Sequence, residues 1–286
     1  MGLTIIETDI DKLRDPFVLA ENGKYYMYGS GWICYVSSGD LRHWVKSEKE
    51  PVVVPPDCAG DKWAPEVHKY KGKFYMFTTY RSGKTNRRGC TILKSDTPDG
   101  PFEEITNGPV TPPDWDSIDG TFYVDEENRP WMVFVHEWVS TDDHIGRMVA
   151  ARLSDDLTHF ISEPIELFRA DAPVWSSYRV TDGCFMYRTK DGRLLMLWSN
   201  FDEQGYCVGI ARSDNGKPDG QWMQDEKQLF SKKISGQYDG GHGMLFTDFD
   251  GQMYLSIHSP NTPVGTRREK PVLVAVHEKN GTIVPD

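Results

Sequence analysis

Arg14-Asp15-Pro16-Phe17, followed by Lys24-Tyr25-Tyr26-Met27-Tyr28 and then by Ile33-Cys34-Tyr35-Val36-Ser37, is the stretch that decides the fold. A carboxylate beside Pro opens a run, a polar turn follows, and two strand-like runs rich in aromatic and β-branched residues come next. The same succession returns four times, anchored at Pro65-Glu66, Asp119-Gly120, Asp182-Gly183 and Gly241-His242-Gly243. The second runs are Lys73-Phe74-Tyr75-Met76-Phe77, Pro130-Trp131-Met132-Val133-Phe134, Leu194-Leu195-Met196-Leu197-Trp198 and Gln252-Met253-Tyr254-Leu255-Ser256. Third runs recur at Cys90, Met148, Val208 and Val272, and a fourth, outer strand is expected near Trp44, Phe102, Phe160 and Trp222. Anchors at 15, 66, 119, 182 and 242 are 51, 53, 63 and 60 residues apart, a period suited to radial β repeats. The sequence therefore predicts an all-β chain, a five-bladed β-propeller with four-stranded antiparallel blades around a central channel. Residues 1–286 read as one domain, since no Pro/Ser-rich linker divides them. A two-sheet sandwich with coincidental spacing is the alternative.

The totals agree with a folded β protein of 286 residues, 38% hydrophobic and 26% charged. Nine Trp and thirteen Tyr serve first as strand and core residues, with a share left for sugar-stacking platforms. A net charge of −11 without a basic stripe argues against a nucleic-acid partner. No apolar run is long enough to span a membrane, and no signal peptide opens the chain as written. A cytoplasmic location is expected, or a periplasmic or secreted one if a leader was removed. Five cysteines without a C-x-x-C pair point neither to a disulfide framework nor to structural zinc.

In a propeller the starts of the inner strands surround one channel mouth, so Asp15, Asp119 and Asp182 are expected to face a common cavity. Hydrolysis of a glycosidic bond needs one carboxyl protonated to serve the leaving oxygen and another ionised to activate water. A third negative charge nearby raises the acid's pKa. A divalent cation is the competing occupant, but it needs carbonyl or amide oxygens grouped closely, and no such loop is evident.

These residues resemble glycoside hydrolase family 43, and the resemblance covers nearly the whole chain. It implies a five-bladed propeller acting by inversion on arabinofuranosyl or xylosyl groups of plant polysaccharides. Arg14-Asp15-Pro16 is similar to the family's general-base motif, and Trp63-Ala64-Pro65-Glu66-Val67 to its second-blade signature. Ser117-Ile118-Asp119 with Phe122-Tyr123-Val124-Asp125 is similar to the pKa-modulator motif. Most of the family carries a general-acid Glu before Gly-Pro in blade four, where this chain has Asp182-Gly183-Cys184. The resemblance implies Asp15 as base, Asp119 as modulator and Asp182 as acid, with Glu137 as the alternative acid. It also implies that His242 points into the channel and holds a Ca2+ or Na+, directly or through water; no organic cofactor is expected.

Trp63, Trp138 and Trp175 are the expected sugar platforms, with Glu66, His136 and His258 lining the pocket and Arg179 and Arg267 as loop candidates for a polar contact. The partner implied is a carbohydrate, and oligomeric state is left open. Two rival readings stand beside the hydrolase: a carbohydrate-binding propeller that has lost catalysis, and a glycoside phosphorylase, which would need a cationic cluster near the base.

Overall fold

The structure, a computed structural model, describes residues 2–37, 39–261 and 268–286; Arg267 lies outside them. A short strand β1 (Ile5–Glu7) precedes the first blade, which is β2 (Phe17–Glu21), β3 (Lys24–Gly29), β4 (Ile33–Ser37) and β5 (Val45–Lys46). The second blade is β6 (Cys58–Tyr70), β7 (Lys73–Ser82), β8 (Arg88–Ser95) and β9 (Glu103–Glu104). The third is β10 (Ser117–Val124), β11 (Pro130–His136), β12 (Arg147–Arg152) and β13 (Ile165–Arg169). The fourth is β14 (Asp182–Arg188), β15 (Leu194–Asp202), β16 (Gly205–Ser213) and β17 (Trp222–Gln224). β18 (Gly241–Thr247), β19 (Met253–Ser259), β20 (Lys270–Lys279) and β21 (Thr282–Pro285) make the fifth.

Each blade is an antiparallel meander, and the inner strands β2, β6, β10, β14 and β18 pack against one another in a closed cycle. The five-bladed propeller expected from the repeat is the fold observed. Second strands are apolar along their length because a blade is covered on both faces by its neighbours. Tyr28, Phe77, Phe134, Trp198 and Ile257, one from each, are fully buried. The third blade differs from expectation at its edge: Phe160 makes only an isolated bridge to Leu153, and the outer strand lies at β13.

The ring closes by sharing. β1 pairs with β20 through Ile5↔Val274, Ile6↔Leu273 and Glu7↔Val272, and β21 pairs with the next stretch of the same strand, from Val276 to Lys279. Both chain ends therefore complete the outer edge of blade five. Deleting residues 2–7 is expected to lower stability by about 2–3 kcal/mol, the net value of the few ladder hydrogen bonds lost. A urea titration with unchanged midpoint would contradict this role for β1.

Candidate active site

One backbone device recurs where each inner strand begins. Asp15, Ala64, Asp119, Gly183 and His242 all have left-handed φ, between 44° and 57°. Asp and His tolerate that region better than most side chains, and Gly183 occupies it without a Cβ cost. In blades two to five the inner strand then carries three residues against two on its neighbour, as in Ile118↔Val135 to Thr121↔Val133 and Asp182↔Ser199 to Phe185↔Leu197.

The amides of these five residues are tied to the blade before. Ala64 N–H donates to Ser30 Oγ (3.0 Å), Asp119 N–H to Thr79 Oγ1 (2.9 Å), His242 N–H to Ser199 Oγ (2.9 Å) and Asp15 N–H to His258 Nδ1 (3.3 Å). In blade three the corresponding position is Val135, whose side chain offers no acceptor, and the Gly183 amide donates to Asp119 Oδ2 instead (2.9 Å).

This register corrects the anchors read from the sequence. The partner of Asp15 and Asp119 in blade two is Ala64, and in blade four it is Gly183. Asp182 sits one residue earlier, level with Arg14, Trp63, Ile118 and Gly241. Glu66 sits two residues later, level with Thr121, and drops below the mouth. A one-residue offset was invisible because Asp-Gly occurs at both places.

Two tiers thus line one cavity of about 340 Å³: Asp15, Asp119 and His242 at the left-handed positions, and Arg14, Trp63, Ile118 and Asp182 above them. Glu137, Trp138, Val180, Phe201, Ser30 and Asn261 complete the wall. The three aspartates, His242, Trp63, Trp138 and Glu137 therefore meet as expected. Trp175 does not: its indole N–H bonds Asp225 O (3.1 Å) and its ring packs on Trp198 and over Gly209. His136 is turned away and stacked on Trp115, with centroids 3.9 Å apart. His258 is fully buried beneath Asp15, and its counterpart in blade three is Val135, not His136. Arg179 is exposed and donates to Asp143 O. Glu66 is buried, accepting from Thr121 Oγ1 (2.6 Å) and paired with His68 (2.9 Å).

The carboxyls differ in electrostatics. Burial would raise Asp15, but the His242 ring 3.3 Å away and Arg14 hold it well below the usual carboxylate range. Ser30 Oγ also donates to it (2.5 Å). Burial pushes Asp182 well above that range, with Asp119 adding repulsion. Asp119 is raised too, by burial and by the Asp15 charge. Burial takes Glu137 to about 7 even though Arg88 pairs with it at 2.7 Å. Arg88 also faces the Trp63 ring, 5.2 Å from its centroid.

Beneath the mouth, Asp15, Glu66 and His242 border a space of about 10 Å³, room for about one water. Among the described residues no group of three or more His, Cys, Asp or Glu side chains is disposed to hold a metal ion. His242 Nδ1 is turned to Asp15 and Asp119. A calcium caged by protein ligands does not fit this donor set.

The sequence profile of Glycosyl hydrolases family 43 matches residues 10–282. A solved structure of an endo-arabinase from Bacteroides thetaiotaomicron is 36% identical, with a TM-score of 0.84, covering 99% of this chain and 100% of that one. An extracellular exo-α-(1→5)-L-arabinofuranosidase of Cellvibrio japonicus is 30% identical over 162 residues, 51% of this chain and 45% of that protein. One of the same description from Streptomyces chartreusis is 24% identical over 215 residues, 71% of this chain and 63% of that protein. The chain spans about half the length of the curated relatives it matches.

Because the Glu137 carboxyl is raised from 4.5 to about 7 by folding, the native state holds an extra proton between those values. Its contribution to stability therefore falls as pH rises from 4.5 to 7 and is level above that. In Glu137→Gln the decline is expected to be shallower over this window, whatever the offset from losing the Arg88 pair. Denaturant midpoints at half-unit pH steps check the slope.

Proposed function

The chain belongs to glycosyl hydrolases family 43, and on that premise we propose that it hydrolyses pentose-containing polysaccharide by inversion. Asp15 is the general base, Asp182 the general acid and Asp119 the group that tunes them. Water attacks the anomeric carbon while Asp15 takes its proton. Asp182 gives its proton to the glycosidic oxygen as the carbon–oxygen bond breaks. What supports this is the opposite surroundings of two carboxyls facing one cavity: His242 and Arg14 beside Asp15 favour its ionised form, while burial next to Asp119 favours the neutral form of Asp182. Environments that push two pKa values apart are what acid–base division of labour requires. Asp119, bonded by the Gly183 amide and close to His242, supplies the negative field that keeps Asp182 protonated.

Arabinofuranosyl groups are the favoured substrate, since arabinan-cleaving relatives are named in both kinds of comparison. Xylosyl groups are the second reading, on a solved endo-1,4-β-xylanase from Bacteroides thetaiotaomicron 26% identical to this chain. Trp63 and Trp138 are the sugar platforms. Against phosphorolysis, Arg14, the cation nearest the base, is already engaged by Glu269 (2.9 Å) and Asn261 (3.0 Å). Any channel Ca2+ or Na+ is reached from His242 through water. Extracellular relatives favour the secreted alternative over a cytoplasmic one.

Asp15→Asn is expected to lower kcat on an arabinan about 100- to 10,000-fold with folding intact; full activity in that variant would falsify the assignment, and sugar binding without turnover in the unaltered protein would leave only the binding propeller. Asp182→Asn is expected to cost as much on unactivated arabinan but little on a dinitrophenyl glycoside, whose leaving group needs no proton. Its pH profile reads the same roles. In the unaltered protein the rate holds as pH falls through the usual carboxylate range, because Asp15 stays ionised, and declines as pH rises through the raised pKa of Asp182. In Asp182→Asn that alkaline decline disappears. Proton NMR of the first-formed anomer tests inversion.

A further inference from the structure

Asp182 is one methylene shorter than the Glu the family pattern carries, and its placement calls for a partner. Tyr206, at the start of β16, supplies one: its hydroxyl donates to Asp182 Oδ2 at 3.1 Å. The ring is almost wholly buried and wedged between Phe201 (centroids 4.9 Å) and His258 (5.5 Å, nearly parallel). Its backbone is held on both sides, N–H to Asp239 Oδ2 (3.1 Å) and C=O from Gly240 N–H (3.1 Å). Space for the ring comes from Gly241, where a Cβ would lie 2.5 Å from Tyr206 Cε1. Gly241 occupies in blade five the register position that Asp182 occupies in blade four. The missing side chain in blade five thus makes room for the blade-four tyrosine that reaches the carboxyl of its own blade.

We propose that Tyr206 is the positioning residue of the general acid. By donating to Oδ2 it makes that oxygen an acceptor and leaves the acid's proton on Oδ1, to which the described residues offer no hydrogen bond, in a side chain that lines the cavity. Once the proton has passed to the glycosidic oxygen, the same O–H stabilises the carboxylate left behind. The hydroxyl remains a donor throughout, since burial and the Asp182 charge keep its own pKa well above the usual phenol value. This assignment rests on Asp182 being the acid.

The test is Tyr206→Phe, assayed on arabinan and on a dinitrophenyl arabinofuranoside across pH. The expected result is a kcat loss of about tenfold on arabinan with KM little changed, since one charge-assisted hydrogen bond is removed. The dinitrophenyl substrate should lose less than twofold, and the alkaline decline should move to higher pH because the Asp182 carboxylate has lost its donor. Difluorotyrosine introduced at position 206, a stronger donor of nearly the same shape, should move that decline to lower pH, and it serves also if the Phe variant does not fold. Equal losses on both substrates, or an unmoved alkaline decline in every folded variant, overturns the role of Tyr206. If Asp182→Asn keeps its activity on arabinan, the acid assignment itself fails, and that result is separate from the first.

Discussion

Five backbone amides at the channel mouth hold the structure to its function. Each belongs to a residue in the left-handed region, and each is bonded to a side chain of the preceding blade. A left-handed residue other than glycine costs on the order of 1–3 kcal/mol, so it persists only where its surroundings over-determine it. Here the hydrogen bond across the blade boundary, the bulge that follows in blades two to five and the packed second strands supply that constraint. The result turns three side chains, Asp15, Asp119 and His242, towards a common axis although each lies more than a hundred residues from the next in the chain.

The one blade that departs from the pattern is where the chemistry is sharpened. Val135 stands where the other blades offer Ser30, Thr79, Ser199 or His258, so the Gly183 amide has no acceptor on the second strand of blade three. It bonds Asp119 instead, and that carboxyl is thereby fixed to the backbone that carries Asp182. A Cβ at Gly183 would lie 2.8 Å from His242 Cα, so glycine is required there by closeness as well as by φ. The same economy of space operates at Gly241, which yields its volume to Tyr206.

The repeat, the strand order and the meeting of the three aspartates were legible in the residues. Alternation, aromatic second strands and turn chemistry recur together, and they act locally. Trp63 could be placed beside the site because it lies next to the Pro65-Glu66 anchor, and Glu137 and Trp138 because they follow a strand end. Less legible was anything that depends on side-chain direction. Trp175 and His136 also sit near strand ends, but Trp198 and Gly209 draw one into the blade and Trp115 stacks over the other. Tyr206 carried no signal at all, lying inside an ordinary strand run. The offset between Asp182 and its supposed equivalents was hidden because an Asp-Gly pair occurs in both blades, one residue apart in register.

By itself the sequence determined a ring of five four-stranded blades and the chemical types gathered at its mouth, since repeat period, strand propensity and turn residues are properties of short segments. Only the tertiary structure decided which carboxyl is pushed towards the ionised form and which towards the neutral one. That outcome depends on burial and on charges brought together from different blades: His242 and Arg14 around Asp15, Asp119 beside Asp182. Coulombic and desolvation energies depend on distances through space, and no spacing along the chain encodes them.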